Sequence, residues 1–174
     1  MPRYLSDVHH VSQQSQGWMQ SVSLGAGIAG LLVGGSLTDL ATRVWGLRYG
    51  RAILLVVSRI LVAIAFVGCL AVEDPIQATL CLALVGFATD LGIGATWAFG
   101  QDVGGRHVGS VMGWANMWGN FGAALSPIIF GLISEAFADD LARGWQFAFF
   151  FCAAVQAVAA IAACGVSARE TLPQ

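Results

Sequence analysis

Five times along this chain, apolar residues run for about twenty positions with few charges among them, the length a helix needs to cross roughly 30 Å of hydrocarbon. The runs fall at about Gly17–Leu37, Ala52–Val72, Ile76–Trp97, Ser110–Ile133 and Trp145–Val166. What separates them is short. Glu73–Asp74–Pro75 reads as a tight turn, Gly100–His107 as a glycine-rich bend and Ser134–Gly144 as an acidic loop. No linker is long enough to separate a pair of domains. The expected architecture is an all-α polytopic membrane helix bundle of about five transmembrane helices over residues 17–166. A polar N-terminal segment, 1–16, precedes it, and a tail, 167–174, follows.

Composition agrees with lipid as the solvent. The chain is 57% hydrophobic and 10% charged, where a soluble domain is about a quarter charged. It has no lysine and no basic run, which argues against nucleic acid as a partner. Its four cysteines sit inside apolar stretches without CxxC spacing and read as packing residues. No HExxH, GxSxG or paired carboxylates at ligand spacing occur, so the sequence offers neither an enzyme centre nor a metal or cofactor site.

The arginines give an orientation. Arg43, Arg48 and Arg51 cluster in GGSLTDLATRVWGLRYGR (Gly34–Arg51), Arg106 follows in the third connection and Arg169 in the tail, all on one side of a five-span bundle. Arg3 and Arg143 fall on the other. By the positive-inside rule the first group faces the cytoplasm, with the N-terminus outside and the C-terminus inside, as in a plasma (inner) membrane protein. Arg59, within the second run, has an apolar helical face and reads as a snorkelling or paired side chain.

Three helical faces stand out. Gly30 and Gly34 form a GxxxG pair in the first run, a spacing that lets helix backbones approach closely. In the third run, Thr79, Ala83, Gly86, Gly94, Trp97 and Gln101 lie within roughly 40° of Asp90 at 100° per residue. A carboxylate at that depth is expensive and turns toward a bundle interior or a wet cavity. Asp90 is thus either an ion-linked cavity residue, one bonded to neighbouring helices, or one close enough to the interface to hydrate. In the fourth run, Gly109, Gly113, Asn116, Asn120 and Pro127 share a face. The asparagines suit either solute contact or inter-helix hydrogen bonding, and Pro127 suggests a bend.

GGSLTDLATRVWGLRYGR resembles the cytoplasmic loop motif of the major facilitator superfamily, G-x-L-x-D-R-x-G-R-[RK]. Gly35, Leu37, Asp39 and Arg51 match in kind, with Leu40 in place of the first arginine and a longer loop. TDLGIGATWAFGQDVGGRHVGSVMGWANMWGNFGAALSPIIFGLI resembles the tenth and eleventh helices of that superfamily's anion:cation symporter branch. The shared features are Trp97, Ala98 and Asp102; Gly109 and Gly113; Asn116, Gly119 and Asn120; and Ser126, Pro127 and Gly131.

The resemblance implies the C-terminal half of a twelve-helix transporter, with Pro2–Leu5 as the tail of a truncated helix and an N-terminal half as partner. It implies ion-coupled alternating access for a small organic anion, a sugar acid or similar carboxylate, driven by H⁺ or Na⁺. Asn116, Asn120 and Trp97 would contact the substrate, and Asp90 would couple the ion. Asp39, Arg43, Arg51 and Asp102 would gate. The competing expectation is a membrane-embedded assembly partner that never transports.

Overall fold

The computed structural model describes residues 2–165; the C-terminal tail with Arg169 lies outside the described residues. Among them every regular element is helical: α1 (Pro2–Asp7), α2 (Gln13–Gly68), α3 (Pro75–Leu91), α4 (Ile93–Gly104), a single 3₁₀ turn (Gly105–His107), α5 (Val108–Ala136) and α6 (Leu141–Cys164).

The segment Gly34–Arg51 is not a loop. Helix α2 runs through it and breaks only at Gly46, whose φ of 78° is open to glycine and unfavourable for most other residues. The helix survives this polar stretch because its hydroxyls bond back along it. Thr38 donates to the Gly34 carbonyl at 2.6 Å and Thr42 to the Thr38 carbonyl at 2.7 Å. At Gly46 the chain reverses. Gly50 then packs so closely on the opposite arm that a Cβ built on it would lie 2.6 Å from Thr42 Cα. The first span therefore ends at Leu47, ten residues beyond Leu37, and the second begins at Tyr49.

The second turn is built by Asp74, whose side chain accepts from the Ile76 N–H at 2.7 Å while Pro75 occupies the first helical position. Asp140 caps α6 the same way, accepting from the Arg143 N–H at 3.1 Å. Helix α5 continues through Pro127 without a break.

Among the described residues four helical stretches are long and apolar enough to cross a membrane: Gln13–Leu47, Tyr49–Gly68, Pro75–Ala136 and Leu141–Cys164. The third has 62 residues and would reach about 93 Å if straight. It folds back at Gly105–His107, where Gly105 has φ 49° and Gly100 meets Met112. It thus supplies two passes, which gives five.

The passes alternate in direction. At one end of the bundle Tyr4, Leu5, Cys69, Ala78 and Phe149 form a core cluster; at the other, Ala41, Leu54, Leu55, Ala95 and Ala163 do. The first arm of α2, the α3–α4 pass and α6 run from the first end to the second, and the second arm of α2 and α5 return. Arg43, Arg51 and Arg106 come at the second end, and Glu73, Asp74, Asp139 and Asp140 at the first.

Between those ends the first arm and α3 meet along glycine. A Cβ on Gly30 would run into the Phe87 carbonyl, and one on Gly34 would lie 2.8 Å from the Leu91 carbonyl carbon. Gly94 approaches Gly35 in the same register, at 3.3 Å from a built Cβ to Cα. The GxxxG pair therefore acts as a packing seam, where van der Waals contact and not water expulsion holds helices together. Helix α5 is different. It has no buried residue and touches α4 and α6 near its ends.

Candidate solute-binding cavity

A cavity of about 550 Å³ opens between the first arm of α2, α3 and α6, with Phe130 of α5 on its flank and α1 at its mouth. Its polar lining comes from two helical stripes. Gln20, Ser23 and Gly27 follow one another by three and four residues on α2, and Gly86 and Asp90 by four on α3, so each set shares a face.

These stripes interlock through the absence of side chains. The Asp90 carboxylate occupies the position a Cβ of Gly27 would need, and a Cβ on Gly86 would sit 2.9 Å from the Ser23 carbonyl oxygen. Gly27 thus makes room for the acid at the edge of the seam. The Oε1 atom of Gln20 is buried with no hydrogen-bond partner, an arrangement that costs about 1–3 kcal/mol.

The mouth is aromatic. The Tyr4 ring meets Trp145 at 5.5 Å and Phe149 at 4.8 Å, both edge-on, and Phe149 stacks on Phe66 at 6.1 Å. Helix α1 is fastened there by polar contacts. Trp145 Nε1 donates to Asp7 Oδ2 at 3.3 Å, and the Arg3 guanidinium reaches Asp7 at 3.6 Å and Ser134 at 3.4 Å. The Tyr4 hydroxyl lies 3.0 Å from His9 Nε2. Burial, with smaller contributions from nearby Cys69 and Cys81, pushes that hydroxyl up to about 12. It stays protonated and able to donate at physiological pH.

Among the described residues the lining holds one ionisable carboxylate, Asp90, and no arginine or histidine. Its other walls are aliphatic and aromatic, the pattern of a small-molecule site with a few placed polar groups. No group of three or more His, Cys, Asp or Glu side chains able to hold a metal occurs among the described residues.

The residues singled out in the sequence divide into three places. Asp90 lines the cavity. Trp97 on α4 is 52% exposed, and Asn116 and Asn120 are exposed on α5, where Asn120 Nδ2 donates to the Asn116 carbonyl at 2.8 Å. None of these three lines the cavity. At the opposite end of the bundle Arg51 Nε donates to Asp102 Oδ2 at 3.0 Å, with side chains 11% and 26% exposed. That ion pair ties the start of the second arm to α4. Asp39 and Arg43 are exposed on the last turns of the first arm. Arg59 is half-buried outside the cavity.

Sequence reasoning missed Gln20 and the aromatic mouth. Gln20 was detectable: it lies seven residues before Gly27, so the face arithmetic applied to Asp90 places both on one stripe. Tyr4, Trp145 and Phe149 carried no such signal, because only the tertiary fold brings α1 onto α6.

Comparison with known proteins agrees with this architecture. Over 137 residues, 78% of the chain, the sequence is 26% identical to the probable sulfoacetate transporter SauU of Cupriavidus necator. The match covers 32% of that protein, so the chain spans about a third of the length of the curated relative it matches. Residues 1–173 match the Major Facilitator Superfamily profile, and the chain therefore belongs to that superfamily of membrane transporters.

Proposed function

We propose that this chain is the C-terminal half of an ion-coupled transporter of small organic anions, of the anion:cation symporter branch, working with an N-terminal half by alternating access. The observation that carries the reading is the cavity at the Gly27–Asp90 contact, where a carboxylate lines a largely apolar chamber. Five passes and a match to a third of a transporter's length support a half-protein. The sulfoacetate in that relative's name supports an organic anion as cargo.

In this reading Asp90 carries the coupling H⁺ or Na⁺. The Arg51–Asp102 pair, with Asp39 and Arg43 nearby, closes the arginine-rich end, which faces the cytoplasm of a plasma (inner) membrane protein with its N-terminus outside. Asn116, Asn120 and Trp97 contact substrate or the facing half from exposed positions. Alternating access then amounts to rocking one half against the other around a site near the bilayer midplane.

The test uses the complete polypeptide in proteoliposomes with an imposed pH or Na⁺ gradient. Asp90→Asn is expected to abolish gradient-driven accumulation while exchange of internal for external anion persists. Accumulation equal to wild type would reduce Asp90 to a packing residue and remove the coupling assignment.

A further inference from the structure

The sequence spaces its cysteines apart, and the fold brings two of them together. Cys69 caps the second arm of α2, and Cys81 lies on α3 beyond the turn at Asp74. The Cys69 thiol is in hydrogen-bonding contact with the Cys81 thiol. Cys81 Sγ also comes within 3.4 Å of where a Cβ on Gly68 would stand. The two sulfurs differ in access. Cys69 is 4% exposed, clustered with Tyr4, Leu5 and Phe149, whereas Cys81 is half-buried on the margin of that cluster. Burial, followed by the nearness of Cys81, pushes the Cys69 thiol up to about 12. It therefore stays protonated and is a poor first attacker, because the thiolate is the nucleophile. Cys81 stands about 9 Å along α3 from Pro75. At that depth in hydrocarbon a small neutral oxidant has access and a charged one does not.

We propose that Cys69 and Cys81 form a reversible disulfide on meeting hydrogen peroxide, a redox site that clasps the second turn beneath α1. In the first step the Cys81 thiolate attacks one peroxide oxygen. The O–O bond breaks, hydroxide leaves and collects the proton shed by Cys81 as water, and Cys81 becomes a sulfenic acid. In the second step the Cys69 sulfur attacks the Cys81 sulfur. The S–O bond breaks, and hydroxide leaves with the Cys69 proton as a second water. Two thiols lose two electrons in all, and one peroxide is reduced to two waters. The bond ties the second arm of α2 to α3 directly under Tyr4, at the mouth of the cavity. On the orientation proposed above, this end faces away from the cytoplasm, where disulfides persist. The chemistry itself is independent of the transport reading.

The experiment treats the complete protein in membranes with hydrogen peroxide, blocks the remaining thiols, denatures it and cuts with a protease specific for acidic residues. Glu73 and Asp74 lie between the two cysteines, so cleavage there parts their fragments unless sulfur joins them. Wild type is expected to give joined fragments that dithiothreitol separates. Cys69→Ala should leave Cys81 as a sulfenic acid that dimedone labels, and Cys81→Ala should leave Cys69 unlabelled. Closing this loop should also raise the thermal unfolding temperature of oxidised over reduced wild type by several degrees, a comparison that needs no variant.

Fragments that part after peroxide treatment overturn the proposal, as does dimedone on Cys69 in Cys81→Ala. An oxidised protein that unfolds no later than the reduced one removes the clasp.

Discussion

Glycines occur at helical spacing in two regions of this molecule and do opposite things there. On the first arm of α2, a Cβ on Gly27, Gly30 or Gly34 would collide with α3. On α5, a Cβ on Gly109, Gly113, Gly119, Gly122 or Gly131 would meet nothing within 4 Å. The first set is used up by the fold as it stands. The second meets nothing among the described residues. A run of small residues records that a surface approaches something closely, and only the structure says whether that something lies in the same chain.

The contrast breaks down most visibly under enlargement. Gly34→Leu should prevent the α2–α3 seam from forming, read as loss of monodisperse protein on size-exclusion. Gly30→Ala and Gly34→Ala should each destabilise by about 1–3 kcal/mol through overpacking against backbone, measured by thermal unfolding in detergent. Of comparable size is the ion pair at the arginine-rich end. Arg51→Ala or Asp102→Ala should cost about 1.5–3 kcal/mol, as expected for a hydrogen bond to a charged group. The charge swap Arg51→Asp with Asp102→Arg should recover some of that loss in the same assay.

A smaller effect belongs to the mouth of the cavity. Trp145→Phe keeps the ring against Tyr4 but removes the donor to Asp7, and should lower stability by about 0.5–1.5 kcal/mol. The smallest effect sharpens the comparison best, because its sign decides. Gly113→Ala in this chain alone should raise stability by up to about 1 kcal/mol through helix propensity. On the proposed reading, in which an N-terminal half covers α5, the same change made with that half present should be destabilising. A gain in both settings would mean that α5 has no partner.

The spans were legible in the sequence because twenty apolar residues leave a chain little choice. The Gly30–Gly34 seam followed from helical spacing. What was not legible was the fate of Gly34–Arg51, where polar residues and three arginines imitate a loop. Thr38 is 2% exposed and bonded to its own helix, so a residue that looked like a loop residue is core. Nothing in the sequence reports that Ser58 of α2 packs against Gly92, the residue between α3 and α4. The cavity itself was half legible. Its carboxylate announced itself by cost, whereas Gln20, neutral and near the start of an apolar run, did not.

The reversal at Gly46 has a consequence for how such a protein is made. One residue, Gly46, leaves helical geometry where the two arms of α2 meet, so the arms are joined without a flexible linker. The two are expected to enter the bilayer as a single hairpin, checked by whether a truncation after the first arm still inserts in a stable orientation. Lengthening that turn would uncouple the pair, and the assembly error to look for is a first span lodged in the membrane with its partner left outside.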